Sequence, residues 1–240
     1  MNSMPLIVHF SDPADALEAE RLLIDEFKNP YVNYRIAWWT TSQSLIAPRS
    51  LQRKHDINDA MALSAYHNWP VYFRQTGGDV TPQGSGVLNV AVAFALDPLE
   101  RPSISGIYQL FCTPMIQWLK EHGCNAQTGL VPGSFCDGEY NIVVNRRKVA
   151  GTAQRWARVR AKESRQIVFV HALILLNADL DIGVSAINRF YESCSLERSV
   201  KSHRHTNFMD VLDPPAIYSQ EAFAESLNER YKYELDALTS

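Results

Sequence analysis

Arg146-Arg147-Lys148-Val149-Ala150-Gly151-Thr152-Ala153-Gln154-Arg155 sets one lysine at a tight turn between two β-like runs, at short range after a cysteine. Val143, Val144, Val149 and Ala150 are small or β-branched and suit strands, while Asn145 with the dibasic pair suits the turn between them. Gly151 lies just beyond. With no Cβ there to obstruct it, a cation held on the strand can closely approach a phosphate or carbonyl oxygen of a ligand. Taken alone, the segment reads as an ordinary basic hairpin.

Upstream, Val71-Tyr72-Phe73-Arg74-Gln75-Thr76-Gly77-Gly78-Asp79 is an apolar strand running into paired glycines, and Gly84 and Gly86 lead to a second apolar run from Val87. Paired glycines let backbone amides meet an anion or carbonyl, although Gly-Gly is also a common hairpin turn.

Downstream stand His171-Ala172-Leu173-Ile174-Leu175-Leu176 and Ser202-His203-Arg204-His205-Thr206-Asn207. In this order the four segments resemble the family that unites lipoate-protein ligases, octanoyltransferases and biotin protein ligases. The family loop Arg-x-Ser/Thr-Gly-Gly-Gly matches Arg74 to Asp79. Its Arg/Lys-Lys-Ile/Val-x-Gly-Ser/Thr-Ala-Gln-Arg motif matches Arg147 to Arg155, and the His-Gly-x-Leu-Leu and Ser-x-Arg-x-Thr-Asn segments match the other two. The resemblance covers roughly residues 15 to 208 and implies one ligase-like catalytic domain over 1–240.

It also implies chemistry that joins a medium-chain acyl group to a carrier lysine. A free carboxylate does not acylate an amine, so a ligase first makes an acyl-adenylate with ATP and Mg²⁺. A transferase instead takes an octanoyl or lipoyl group already on a carrier, passes it through a cysteine and needs no cofactor. Both routes build negative charge on the acyl carbonyl oxygen, and Lys148 is the expected stabiliser.

Cys136 decides between the branches. Ser134-Phe135-Cys136-Asp137-Gly138-Glu139-Tyr140-Asn141 is similar to the Ser-Tyr-Cys-Pro-Gly-Ser-Tyr-Asp segment of the octanoyltransferases, with Asp137 in place of their proline. A nearby cation would favour the thiolate form of Cys136. Asp79 replaces the third glycine of the ligase loop and Gln83 its histidine. A carboxylate beside a phosphate cradle would repel a nucleotide unless Mg²⁺ or a lysine neutralised it.

The expected enzyme is therefore a lipoyl or octanoyl transferase working through a Cys136 thioester, with an ATP-dependent ligase or a non-catalytic lipoyl-binding protein as alternatives. Arg74, Thr76, Gly77, Gly78, Asp79, Gly151, Thr152, Ala153 and His171 would line the substrate site, with Arg74 bracing the glycine loop or pairing with a carboxylate. Arg49 follows an early strand where the family often has an arginine. Implied partners are a lipoyl carrier domain of a 2-oxoacid dehydrogenase or glycine cleavage protein, with acyl carrier protein as a donor.

Composition agrees. At 240 residues, 46% hydrophobic and 20% charged, the chain can bury a sizeable core as one domain. A net charge of -3 makes no case for nucleic acid, although Arg146 to Lys148, and then Arg155, Arg158, Arg160 and Lys162, are locally basic and would attract an acidic carrier. No apolar stretch reaches membrane-spanning length and no basic leader precedes one, which reads as a cytoplasmic protein. Cys112, Cys124, Cys136 and Cys194 show no paired spacing, so free thiols and no metal site are expected.

Helices are predicted over about 13–27, with Asp12 as cap, and over 57–67, 104–121, 184–190 and 219–238, the last set off by Pro214-Pro215. Pro114 should kink or divide the third. Strands are predicted near 36–39, 45–47, 71–74, 87–95, 141–145, 148–154 and 166–176. Hairpin-like pairs interrupted by helices read as α+β with a mixed, largely antiparallel sheet, in agreement with the family fold.

Overall fold

The computed structural model describes residues 5–96, 102–159, 165–212 and 218–239. Pro214-Pro215, Arg160 and Lys162 lie outside them. The first strand, β1 (Ile7–Phe10), precedes α1 (Pro13–Asp25), whose start follows the sequence signal. The Asp12 carboxylate accepts the Ala14 amide at 2.8 Å, and Pro13 fills a first-turn position that needs no N–H. Then come β2 (Tyr34–Thr41), β3 (Ser44–Pro48), α2 (Ile57–Tyr66), β4 (Val71–Arg74), β5 (Thr81–Gln83) and β6 (Val87–Ala95).

The second half runs through α3 (Ile104–Glu121), β7 (Ala126–Gly129), β8 (Asn141–Val144), β9 (Arg147–Val159), β10 (Arg165–Leu175), α4 (Leu180–Ser193) and α5 (Gln220–Thr239). Seven strands form one sheet in the order β1-β2-β6-β10-β9-β8-β7, and β4-β3-β5 form a small second sheet. Among the strands of the described residues, β1 with β2 and β3 with β4 pair in parallel and the other pairs are antiparallel, so the fold is α+β with a largely antiparallel sheet.

Alternation along the central strands gives the large sheet two buried faces. Leu88, Val90, Val92 and Phe94 of β6, with Val168, Val170, Ala172 and Ile174 of β10, pack against α3 and α5. Ala91, Ala93 and Phe169 face the other way, against Ile24 and Phe27. Farther along that face, Leu173 and Leu175 meet the small sheet, α2 and α4. The gap between α1 and the small sheet is where the site forms.

Pro114 does not divide α3, which runs unbroken through it. Proline removes one helical hydrogen bond, but Phe111, Met115 and Trp118 on either side are locked in the core. Gly123 follows the helix at φ +79°, as a terminating glycine should. α4 is longer than its apolar pattern predicted because Asp179 caps it, accepting the Ile182 amide at 3.0 Å. No described helix is long and apolar enough to cross a membrane.

Candidate functional site

Asn145 and Arg146 both take positive φ, 49° and 63°, making the two-residue turn that joins β8 to β9. The pairing then slips. Val143 faces Lys148 but Ile142 faces Ala150, so Val149 is an extra residue in β9. A bulge of this kind re-aims the side chains beside it, and Lys148, Val149 and Ala150 are buried in succession. Lys148 is therefore no part of a basic surface patch, being 0% exposed.

Its ammonium donates to the carbonyl oxygens of Phe135 at 2.6 Å and Cys136 at 2.9 Å. A Cβ at Gly151 would stand 2.8 Å from the Lys148 Nζ, so only glycine leaves room for the lysine end. Burial pulls the Lys148 pKa down to about 8, with Arg74 acting in the same sense and Cys136 and Asp137 opposing.

His205 holds the same loop from the other side. Its Nε2 accepts the Phe135 amide at 3.1 Å, its ring stacks on Phe135 with centroids 4.3 Å apart, and Nδ1 faces the Lys201 carbonyl at 3.1 Å. Burial, with Lys148 nearby, pushes the His205 pKa down to about 4, so the ring stays neutral and keeps its accepting nitrogen. Asp137, which stands where the octanoyltransferase segment has proline, accepts the Val131 amide at 2.7 Å and the Asn141 amide group at 3.1 Å. These contacts fix Cys136 at φ 46°, a left-handed conformation rare for a residue with a side chain.

The Cys136 sulfur receives the Asp79 backbone N–H at 3.2 Å and lies 3.9 Å from the Arg74 Nη2. Arg74 braces the glycine loop, donating to the carbonyls of Gly77 at 2.8 Å, Asp79 at 2.7 Å and Ile46 at 2.8 Å. Gly78 sits at φ +96°, and a Cβ there would collide with the Cys136 sulfur. The Asp79 carboxylate pairs with Arg198, so its charge is neutralised by an arginine that the sequence reading missed.

Cys136 opens onto a pocket whose lining includes Arg74, Gly151, Thr152, Ala153 and His171. His171 finds a side-chain partner at each ring nitrogen: Nε2 meets the Thr76 hydroxyl at 2.9 Å and Nδ1 meets the Glu20 carboxylate at 3.1 Å. Glu20, also held by the Trp39 indole at 3.2 Å, was missed. Its signal was a carboxylate in the buried row Ala16, Glu20, Ile24 of α1. Asn89, missed as well, is a polar side chain inside the apolar strand β6.

Thr76 and Arg49 line a neighbouring cavity, which shares Leu17, Glu20 and Arg74 with the first. Gly77 is tied to the loop through its carbonyl, which accepts from the Arg74 guanidinium. No cluster of three or more His, Cys, Asp or Glu suited to a metal occurs among the described residues.

Known proteins resemble this chain in sequence and in fold. A protein of Kyrpidia tusciae named octanoyl-[GcvH]:protein N-octanoyltransferase is 30% identical over 162 residues, 66% of this chain and 56% of that protein. An uncharacterised protein of Cupriavidus necator is 32% identical over 176 residues, 70% of this chain and 67% of its own length. The chain thus spans little more than half the length of the octanoyltransferase relatives it matches.

In fold it is similar to a T. acidophilum protein solved with bound lipoic acid, at TM-score 0.71, 18% identity and coverage of 98% of this chain and 87% of that one. A lipoate-protein ligase A bound with ATP gives TM-score 0.68 at 17% identity, over 98% and 86% of the two chains. The sequence profile of the lipoyl protein ligase A/B catalytic domain matches residues 12–229, and the chain belongs to that family.

Proposed function

We propose that this chain is an acyltransferase that moves an octanoyl or lipoyl group onto a lysine of a lipoyl carrier domain through a thioester on Cys136. One observation carries the reading: the Cys136 sulfur faces the pocket with the Asp79 amide and the Arg74 guanidinium turned toward it. The name of the Kyrpidia tusciae relative supports octanoyl transfer onto a protein, with an octanoylated glycine cleavage carrier as donor.

The sulfur attacks the carbonyl of an incoming acyl thioester. A C–S bond to Cys136 forms, the donor's C–S bond breaks, and the donor thiol leaves with the proton that Cys136 gives up. The ε-amine of the carrier lysine then attacks, forming the amide C–N bond as the Cys136 C–S bond breaks, and the amine's proton returns to the thiol. Asp79 N–H and Arg74 stabilise the charged sulfur in both halves. An ammonium has three donors, and Lys148 commits two to the loop carbonyls. The third serves the acyl oxyanion across the opening left by Gly151.

This reaction needs no cofactor. The neighbouring cavity with Arg49 and Arg155 favours a second reading, an ATP- and Mg²⁺-dependent ligase, since arginines suit phosphates and Arg198 already offsets Asp79. Intact-mass measurement after incubation with octanoyl thioesters of acyl carrier protein and of N-acetylcysteamine, without ATP, separates the two. The transferase gives an octanoyl adduct on the wild type and none on Cys136→Ser. No adduct on the wild type, with ATP-dependent acylation by Cys136→Ser, overturns the transferase.

A further inference from the structure

Gly151, Leu173, Asn89 and Trp39 are direct neighbours across four strands, β9, β10, β6 and β2, and all four line the Cys136 pocket. The row begins at the Lys148 end, against Gly151. Strands lie about 4.8 Å apart, so Asn89 is two intervals, roughly 10 Å, from Gly151. With carbon–carbon bonds of about 1.5 Å and staggered torsions, an extended eight-carbon acyl chain measures roughly 9 Å. A chain whose carbonyl sits by Gly151 and which follows this row ends at Asn89.

Something polar stands there. The side-chain amides of Gln83 and Asn89 exchange two hydrogen bonds, at 3.0 and 2.9 Å, and are 3% and 4% exposed. Gln83 also lines a second cavity, together with Val87, Leu175 and Leu180. Gln83, the outer member of the amide pair, therefore lies between the acyl pocket and a second space lined largely by apolar side chains.

We propose that the Gln83–Asn89 pair is the end wall that fixes acyl length at about eight carbons, and that the second cavity is the space its loss would open. A methyl end reaching the wall has apolar side chains along its flanks. One that passes it must separate the buried amides and leave their donors and acceptors unpaired. The inference rests on the transferase reading and concerns which chains it accepts.

The test is the rate of adduct formation on Cys136, by intact mass, from N-acetylcysteamine thioesters of C6 to C14 acyl groups. The wild type should fall by about tenfold or more between C8 and C12. Gln83→Ala should bring C12 to within a few-fold of C8. Equal wild-type rates from C8 to C14 overturn the wall, as does a Gln83→Ala profile with an unchanged limit. In either case a C8 adduct leaves the transferase reading standing. If Gln83→Ala does not fold, the wild-type series alone decides. No adduct at any length, with these donors and with acyl carrier protein thioesters, sinks the transferase reading and the end wall together.

Discussion

Gly78 and Cys136 are so close that the glycine's missing Cβ is the space the sulfur occupies. At φ +96° the position is also one that a side chain tolerates poorly. Gly78→Ala should therefore move the thiol without touching its chemistry. A displacement near 1 Å is enough for a loss of about 10². Acylation of Cys136 should drop by that order although Asp79, Arg74 and Lys148 are all retained. Rates by intact mass check this, and near-wild-type acylation would falsify the packing argument.

Lys148→Met keeps the length of the side chain and removes its charge and donors. Octanoyl transfer should fall on the order of 10² to 10³, the range for removing one oxyanion donor. Because the carbonyls of Phe135 and Cys136 lose their partner, the variant should also lose stability, by roughly 1 to 3 kcal/mol per orphaned group. Lys148→Arg should not restore turnover, since the larger guanidinium would have to push aside the Phe135 and Cys136 carbonyls against which the fully buried ammonium is held. Steady-state transfer to a lipoyl domain measures both, and full activity in either variant would dismiss the role.

The lowered Lys148 pKa, about 8 against an ordinary 10.5, gives stability and activity opposite pH slopes. Between those values the unfolded chain holds a proton that the folded chain has released, so stability rises with pH. The gain is complete above 10.5 and is lost as pH falls to about 8. At about 1.4 kcal/mol per pH unit, wild type should gain roughly 2 kcal/mol relative to Lys148→Met between pH 8 and 9.5. Transfer that depends on the cation should decline over the same interval. Denaturant melts and rate profiles of both proteins test it, and parallel stability curves would count against a buried, titrating lysine.

Much of this architecture was readable in the chain. Long apolar or alternating runs such as Val87–Ala95 became central strands, and Asp12-Pro13 started α1 where capping chemistry put it. What escaped was short or non-local. β1 has four residues and finds its partner only after α1 has intervened. β5 contains Pro82, which argues against a strand unless it lies at an edge, as it does here. β7, Ala126–Gly129, carries little apolar signal at the border of the large sheet.

The site divides in the same way. Motif spacing names Cys136, Lys148 and the Gly77-Gly78 loop, all within local segments. Glu20 reaches His171 across 151 positions, and Arg198 reaches Asp79 across 119, so no window of sequence contains either pair. The bulge at Val149 is equally silent in composition, yet it is what turns Lys148 inward.

His205 meets Phe135 from 70 positions further along, and the next amide, Thr206 N–H, closes on the Lys148 carbonyl at 2.9 Å. During synthesis the loop that carries Cys136 therefore emerges well before the residues that clamp it. Until then the Phe135 amide lacks its acceptor, and the left-handed turn at Cys136 loses one of the contacts that hold it. The loop that carries Cys136 is thus made early and clamped late, and its left-handed turn is complete only once the segment around His205 and Thr206 has docked on it.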